Sequence, residues 1–348
     1  MATEPYADRA RGVLLGLAVG DALGTTLEFT RPRAPRFPEL AAGPHLDLVG
    51  GGPFNLKPGQ ITDDTQMACA LATSLVKLGR FSQSDLARRY VAWRGAAFDV
   101  GKQIGAALAA IAAGAAPETA GRAVWLASGR HAAGNGSLMR TAPIAVFFAN
   151  DEAARRQAAL ADSAITHADP RCQLACTAFD AALAAALTRS SQSLPAVMLE
   201  AAVAEISRTA EALLEHWPEE HAAVEEDCAS LREDLAAACR ADPELYGPEL
   251  HLHQMQGFVR VAFRLAFWEL MHAPGFEAGV IDVVNRGGDA DTNGAIAGAL
   301  LGAAHCAAAI PDRWIRRVLE ALQDGPPGPL RDDFHPKRLL SLTGADPC

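Results

Sequence analysis

The chain has 348 residues, of which 50% are hydrophobic and only 6% aromatic, and its formal net charge at pH 7 is -10. Its length allows a large core in a single domain, and abundant alanine with few β-branched runs predicts a mostly helical protein. The acidic balance disfavours nonspecific binding to nucleic acid or to an anionic membrane surface.

The cysteines are scattered and their number, seven, is odd. This usage is typical of buried, reduced thiols, so we expect a cytoplasmic protein. Cys172 and Cys176 could share a helix face and bind a metal, but no second Cys/His pair has the spacing of a zinc site. No signal peptide is expected, because the short apolar stretch 12–20 follows the acidic residues Glu4 and Asp8.

The first predicted helix runs from Asp8 to about Gly24 and carries a glycine at every fourth position from Gly12 onwards. Such a stripe also occurs in dimers of membrane helices, but the apolar stretch is too short to span a membrane. We therefore expect this stripe to pack against another helix of the protein. Residues 30–60 are rich in proline and glycine and predict a long, irregular connection.

The second predicted helix begins at Thr62, a good N-cap, and places Asp63 and Asp64 at the positive end of its dipole. Further helices are predicted at 82–95, 102–114, 117–128, 137–149, 151–165, 171–189, 254–272, 276–284, 292–309 and 312–323. The stretch 195–250 is more charged than its flanks, predicts one or two amphipathic helices and a loop, and is interpreted as a variable insertion or cap.

A second pair of carboxylates, Asp289 and Asp291, lies in the segment Asn-Arg-Gly-Gly-Asp-Ala-Asp-Thr-Asn-Gly at 285–294. Residues at i and i+2 do not share a helix face, so this pair converges only in a turn, for which Gly287 and Gly288 supply the backbone freedom. Glycines at every fourth position follow and predict a buried helix. Its start therefore directs two acids towards the interior or a cleft.

Two interpretations of these acids remain open from the residues alone. Buried carboxylates repel each other unless a cation lies between them, and oxygen ligands without Cys or clustered His suit Mg²⁺ or Mn²⁺. Alternatively, the acids cap helices and form a loop salt bridge with Arg286. An EF-hand calcium loop is disfavoured because its later ligands are missing.

Five motifs, taken in order, connect these acids to a known family. They are Gly20-Asp21-Ala22-Leu23-Gly24 with Glu28-Phe29, Thr62-Asp63-Asp64-Thr65, Gly134-Asn135-Gly136-Ser137-Leu138-Met139-Arg140, Thr166-His167 with Pro170, and Gly287-Gly288-Asp289-Ala290-Asp291-Thr292. In this order they resemble the ADP-ribosylglycohydrolase family. The resemblance covers residues 12 to about 305, whereas 195–250 and the tail contain no family motif.

The resemblance implies an all-α fold, a compact single-domain orthogonal helical bundle over residues 8–323. The C-terminal tail at 324–348 is rich in proline and is predicted from its sequence to be irregular. The resemblance also implies two Mg²⁺ or Mn²⁺ ions. Their ligands would be Thr62, Asp63, Asp64, Asp289, Asp291 and Thr292. The implied activity is hydrolysis of the N-glycosidic bond between ADP-ribose and an arginine of a modified protein, with ADP-ribose as a product.

Further residues receive roles from the same resemblance. Glu28 matches the family's acid near the metals, as a general base or switchable ligand, although it could be a solvated residue after a helix end. Asp99 looks like the acid of arginine-directed members, although Asp before glycine is also a common turn residue. Asp63 is the third catalytic candidate. The implied substrate-binding residues are Gly134, Asn135, Gly136, Ser137, Leu138, Met139, Arg140 and His167, and Arg140 could instead organise the loop.

Three other functions compete with hydrolysis of the arginine linkage. An O-linked ADP-ribose, on serine or in O-acetyl-ADP-ribose, would use the same pocket. A non-catalytic ADP-ribose-binding or structural relative is also possible, but it would be expected to lack some of the metal ligands. A phosphoesterase usually uses several His ligands, which the acidic motifs do not contain. The complete ligand set favours an enzyme.

Overall fold

The computed structural model describes residues 4–190, 193–323 and 332–344. Throughout these ranges the chain forms helices and loops without any β-strand, which confirms the all-α prediction. The helices are α1 Glu4–Gly24, α2 Asp63–Leu78, α3 Gln83–Arg94, α4 Lys102–Ala112, α5 Pro117–Ala127, α6 Ala142–Phe147, α7 Glu152–Thr166, α8 Pro170–Thr188, α9 Leu194–His216, α10 His221–Ala238, α11 Val259–His272, α12 Phe276–Asn285, α13 Ala290–His305, α14 Asp312–Glu320 and α15 Lys337–Leu340.

The centre of the fold is the contact between α1 and α13, which runs along the two glycine stripes. A Cβ atom at Gly16 would lie 2.1 Å from the carbonyl oxygen of Gly298, and one at Gly298 would lie 2.2 Å from the oxygen of Gly16. The same close approach occurs at Gly12 with Gly302. The two backbones therefore touch, and only glycine fits between them.

Helix α1 is long and apolar enough, by length and composition, to cross a membrane over the window Tyr6–Leu27. However, 83% of that window is buried inside the protein. Its glycine face meets α13, and its apolar residues, such as Val13 and Leu17, belong to the main hydrophobic core. The prediction that the stripe packs against another helix of the same chain is thus confirmed.

Several helix ends differ from the predicted ones. Helix α6 begins at Ala142 rather than at 137, because residues 134–140 form a compact loop beside the cavity described below. Helix α11 begins at Val259 rather than at 254, because Phe258 forms a bridge with Gly134. Helix α13 ends at His305, since Cys306 has a φ angle of 71° that no helix continues.

The stretch 195–250 joins the same core as the rest of the protein. Helix α9 packs against α8, and α10 packs against α11. The buried side chains of Met198, Leu213, Leu231 and Leu235 are part of the main hydrophobic cluster. The prediction that this stretch varies among relatives remains a prediction.

The predicted irregular tail is only partly described, since residues 324–331 and 345–348, including Cys348, lie outside the described ranges. Within 332–344 the tail is not irregular, because α15 forms there and buries Leu339 in the core. The six described cysteines are free thiols; Cys69, Cys172 and Cys176 are buried as expected, whereas Cys239 is exposed.

The glycine contact generates a stability prediction. Gly16→Ala should lower the free energy of unfolding by about 1–3 kcal/mol, because its methyl group has no space against the backbone of α13. Gly105→Ala in α4 is the matched control, since its Cβ would meet only Val100 Cγ1 at 3.5 Å. Urea denaturation measures both, and equal effects of the two substitutions would contradict the proposed contact.

Candidate active site

A cavity of about 460 Å³ opens where α1 ends and where α2 and α13 begin. Its lining residues come from these helix ends and from the loops around 29, 99, 135 and 256. They are Glu28, Phe29, Asp63, Asp99, Gly101, Lys102, Gln103, Ile104, Gly134, Asn135, Gly136, Met139, His167, Gln256, Gly257, Asp289, Asp291 and Thr292. All three predicted catalytic residues are therefore in one cavity, although they are up to 71 positions apart in sequence.

Asp21, near the end of α1, caps the start of α2. Its carboxylate accepts hydrogen bonds from the backbone N–H of Thr62 at 3.0 Å and from that of Thr65 at 3.1 Å. Both threonine hydroxyls also donate to it. Thr62 has the extended backbone of an N-cap, but its side chain makes no capping bond, because a carboxylate from another helix takes that role.

Three carboxylates surround the hydroxyl group of Thr62. Its Oγ1 lies 2.8 Å from Asp21 Oδ1, 2.9 Å from Asp64 Oδ2 and 3.3 Å from Asp291 Oδ2. A hydroxyl group carries one proton and can donate to only one of the three at a time. The proton of this hydroxyl therefore cannot stabilise all three carboxylates, and a bound cation would supply further positive charge.

Two groups of carboxylates have the spacing of metal sites. The first group is Asp21, Asp64 and Asp291, and the second is Glu28, Asp289 and Asp291. In each group, one carboxylate oxygen from every residue lies within 4.8 Å of the others. Asp291 belongs to both. Two oxygens of these groups, Glu28 Oε2 and Asp64 Oδ1, are buried without a hydrogen-bond partner among the described residues.

Burial raises the pKa values of the whole cluster. The pKa of Glu28 rises to about 8, through burial and then through the charge of Asp289. Burial raises the pKa values of Asp21 and Asp289 to about 6. The pKa values of Asp64 and Asp291 rise well above their usual range for the same reason. Because so many of these pKa values are raised, the cluster lacks the positive charge that would stabilise its ionised carboxylates.

Arg286 does not supply that charge. Its Nε donates to Asp282 Oδ2 at 2.7 Å, and its other nitrogens donate to the backbone oxygens of Pro35 and Glu39. Within the described ranges, no Lys or Arg forms an ion pair with the cluster. The alternative of a loop salt bridge between Arg286 and Asp289 or Asp291 is therefore wrong. An all-oxygen donor set with unpartnered atoms fits Mg²⁺ or Mn²⁺.

Asp99 lies on the loop between α3 and α4 and is hydrogen-bonded to Asp63. Burial raises the pKa of Asp99, while this hydrogen bond opposes the rise. Burial, and then the neighbouring charge of Asp64, raises the pKa of Asp63 well above its usual range. Two adjacent carboxyl groups with raised pKa values can share and transfer a proton, which is the requirement for acid–base catalysis.

The loop before α6 forms another wall of the cavity. The side-chain Nδ2 of Asn135 donates to Asp289 Oδ2 at 2.7 Å, so this asparagine orients a carboxylate of the cluster. Gly136 lies against the ring of His167, and a Cβ there would be 2.9 Å from His167 Cε1. The glycines of this motif are thus required by close packing at the cavity wall.

His167 is buried at the C-terminal end of α7, with Nδ1 2.7 Å from Thr166 Oγ1. Burial, and then the charge of Arg140, lowers the pKa of His167 well below its usual range. The ring is therefore neutral, and it can contact a ligand by hydrogen bonding without contributing charge.

Three of the predicted substrate-binding residues lie behind the wall rather than in the cavity. Ser137, Leu138 and Arg140 are fully buried and do not line it. The guanidinium of Arg140 donates from Nε to Asp162 Oδ2 at 3.1 Å and from Nη1 to the oxygen of Gly136 at 3.2 Å. The predicted contact of Arg140 with substrate is corrected to the other role left open, that of organising the loop.

Three residues that the fold brings to the site are not predicted from the sequence as site residues. Asp21 lies within the first motif, and its position at the end of an apolar, glycine-striped helix is a signal that could have identified it. Gln256 and Gly257 line the cavity, and the Gly257 oxygen accepts from the N–H of Asn135 at 3.1 Å. No local pattern marks these two residues, because the contact spans more than 100 positions.

The sequence and the fold of this chain match a family of known proteins. A sequence model of the ADP-ribosylglycohydrolase family matches residues 2–343, and the chain belongs to this family. The solved ADP-ribosylglycohydrolase-related protein complex is similar, with a TM-score of 0.68, 30% identity, and coverage of 98% of this chain and 99% of the other.

Two relatives carry more specific names. The ADP-ribosylarginine hydrolase Tri1 of Pseudomonas putida (strain GB-1) is 30% identical over 341 residues, which cover 90% of this chain and 75% of the relative. The ADP-ribosyl-[dinitrogen reductase] glycohydrolase of Rhodospirillum rubrum is 28% identical over 317 residues, which cover 89% of this chain and 90% of the relative. The predicted family is thus confirmed, and the chain is a glycohydrolase-family member.

The raised pKa values generate a prediction about pH. A carboxyl group whose pKa is raised in the folded state stabilises the protein below its unfolded pKa of about 4, and this contribution is lost as pH rises. For Asp21 and Asp289, with pKa values of about 6, and Glu28, with a pKa of about 8, the metal-free protein should therefore lose stability from about pH 4 to pH 8.

Divalent cations should reverse this loss, because they compete with protons for the same oxygens. The rise in melting temperature caused by Mg²⁺ or Mn²⁺ should be small at about pH 5.5 and several degrees larger at about pH 8. Thermal unfolding with each ion and with a chelator measures it. A rise of equal size at both pH values, or no rise, would contradict the cation site.

Proposed function

We propose that this protein hydrolyses the N-glycosidic bond between ADP-ribose and an arginine side chain of a modified protein, with the help of divalent cations. The observation that carries the proposal is the two clusters of carboxylates that share Asp291, since Asp291 lines the same cavity as Asp63 and Asp99. The names of the relatives in Pseudomonas putida and Rhodospirillum rubrum support this substrate class.

Each of the two clusters of carboxylates would hold one Mg²⁺ or Mn²⁺ ion. Asp21, Asp64 and Asp291 would hold one, and Glu28, Asp289 and Asp291 the other, with Thr62, Asp63 and Thr292 next to them. This set adds Asp21 and Glu28 to the ligands implied by the resemblance. Divalent cations supply Lewis acidity, which orients vicinal sugar hydroxyls and makes water more acidic.

Two carboxyl groups of the chain, those of Glu28 and Asp99, would carry out the proton transfers. Water attacks the anomeric carbon of the ribose as the bond from that carbon to the arginine nitrogen breaks. Glu28, whose Oε2 has no partner among the described residues, accepts the proton of the attacking water. Asp99, whose pKa is raised by burial, gives its proton to the departing nitrogen. The products are ADP-ribose and an unmodified arginine.

The wall opposite the carboxylates would bind the rest of the nucleotide. Gly134, Asn135, Gly136 and Met139 line the cavity together with the neutral ring of His167. The narrow packing around these glycines leaves backbone groups, rather than large side chains, facing a ligand. We further propose that the partner is an ADP-ribosylated protein in the cytoplasm, in keeping with the free thiols and the acidic surface charge.

The central test is release of ADP-ribose from an arginine-ADP-ribosylated protein. Release should require Mg²⁺ or Mn²⁺ and stop with a chelator, and Asp63→Ala combined with Asp291→Ala should reduce it by at least about 10³-fold. Chromatography of the free ADP-ribose measures it. Asp312→Ala, an exposed acid at the start of α14, is the matched control and should be fully active. Turnover that persists in the double variant would defeat the proposed site.

The linkage is tested separately through Asp99. Asp99→Asn should lower kcat for the arginine linkage by about 10²–10⁴-fold, because the amide cannot give a proton to the leaving nitrogen. The melting temperature should change little, since Asp99 is only partly buried on a loop. If the wild-type enzyme cleaves serine-linked ADP-ribose and leaves the arginine linkage intact, the proposed arginine specificity is wrong. The proposed ADP-ribose hydrolase activity would then still stand.

A further inference from the structure

The aromatic ring of Phe29 lies at the cavity next to Glu28, although 53% of its surface is exposed to solvent. Its backbone has a φ angle of 57°, in the left-handed region that bulky residues rarely adopt. Because the ring is exposed, burial in the core does not explain why Phe29 adopts this strained backbone conformation. Such positions persist where the surrounding structure holds them, and they concentrate at ligand sites.

Two backbone hydrogen bonds hold Phe29 in this position. Its N–H donates to the oxygen of Gly288 at 2.6 Å, and the N–H of Gly288 donates to the oxygen of Thr30 at 2.9 Å. Gly288 directly precedes Asp289 of the carboxylate cluster. The backbone of Phe29 is thus fixed relative to the carboxylates, which places this residue beside a ligand bound between them.

The other exposed aromatic residues of the described ranges do not share this setting. The ring of Phe98 is 5.4 Å from that of Phe54, and neither residue lines the cavity. Tyr246 accepts a hydrogen bond from Arg286 and also lies outside the cavity. Phe29 is therefore the exposed aromatic side chain, among those described, that faces the site.

Five carboxyl side chains line the cavity, those of Glu28, Asp63, Asp99, Asp289 and Asp291, against one lysine, Lys102. The proposed divalent cations would offset much, but not all, of the negative charge near this ring, because Asp21 and Asp64 add to the acids that line the cavity. An aromatic face attracts a planar guanidinium ion in particular, both through its quadrupole and by stacking. A neutral leaving group, such as a serine hydroxyl, gains neither contribution.

We propose that Phe29 is the binding subsite for the guanidinium group of the modified arginine, which stacks on the exposed face of the ring. This inference rests on the proposed function and adds the residue that recognises the leaving group. It makes Phe29 a specificity determinant for the arginine linkage. The ADP-ribose half of the substrate does not depend on this ring.

The test compares Phe29→Leu with Phe29→Tyr, which retains the ring. For an ADP-ribosylated arginine peptide, Phe29→Leu should raise KM by about 3- to 30-fold with little change in kcat, whereas Phe29→Tyr should stay close to wild type. The Kd of ADP-ribose, measured by calorimetry, should be the same in all three proteins. Phe54→Leu is the control, since Phe54 lies on the same long connection but does not line the cavity.

A second measurement does not depend on catalysis. Agmatine, a free guanidinium compound, should bind to the ADP-ribose-loaded wild type, and Phe29→Leu should weaken this binding at least about 3-fold. An unchanged KM in Phe29→Leu, a parallel rise in the Kd of ADP-ribose, or no agmatine binding to the wild type would overturn the subsite. A wild type that binds agmatine but leaves the arginine peptide intact would instead defeat the proposed function alone.

Discussion

The direct backbone contact between α1 and α13 is the constraint on which the site depends. A Cβ atom at Gly20 would lie 1.9 Å from the oxygen of Gly294, so the two backbones can approach this closely only because both positions are glycine. Asp21 follows Gly20, and Asp291 lies one turn before Gly294. The same contact that closes the core therefore brings two acids from opposite ends of the sequence to one point.

The acids brought together in this way replace ordinary helix capping with a shared network. Asp21 caps α2 from another helix, which leaves the Thr62 hydroxyl free to lie among three carboxylates. Burying these charges raises their pKa values and leaves oxygens of Glu28 and Asp64 without a hydrogen-bond partner in the described part of the chain. The arrangement is unfavourable by itself, and the proposed divalent cations would stabilise it, which would couple folding stability to the proposed activity.

The buried charge of Arg286 positions a loop at the site, although Arg286 itself does not line the cavity. Arg286 is fully buried, pairs with Asp282 and lies 3.5 Å above the ring of Phe37. Through the oxygens of Pro35 and Glu39 it fastens the long connection that begins at Glu28. Together with the hydrogen bonds at Gly288, it keeps Glu28 and Phe29 against the carboxylate cluster.

The sequence by itself determined the helical class, the glycine-striped pair of helices and the two acid pairs, because periodicity and turn chemistry are local properties of the chain. The family resemblance singled out Glu28, which lies in the first motif, and Asp99, which lies outside the five motifs. Only the tertiary structure decided that Asp21 joins the cluster and that Arg140 turns away from the cavity towards Asp162. The exposure of Phe29 at the cavity was also decided only by the tertiary structure. These outcomes depend on which distant segments touch, and that is decided by packing rather than by any local pattern.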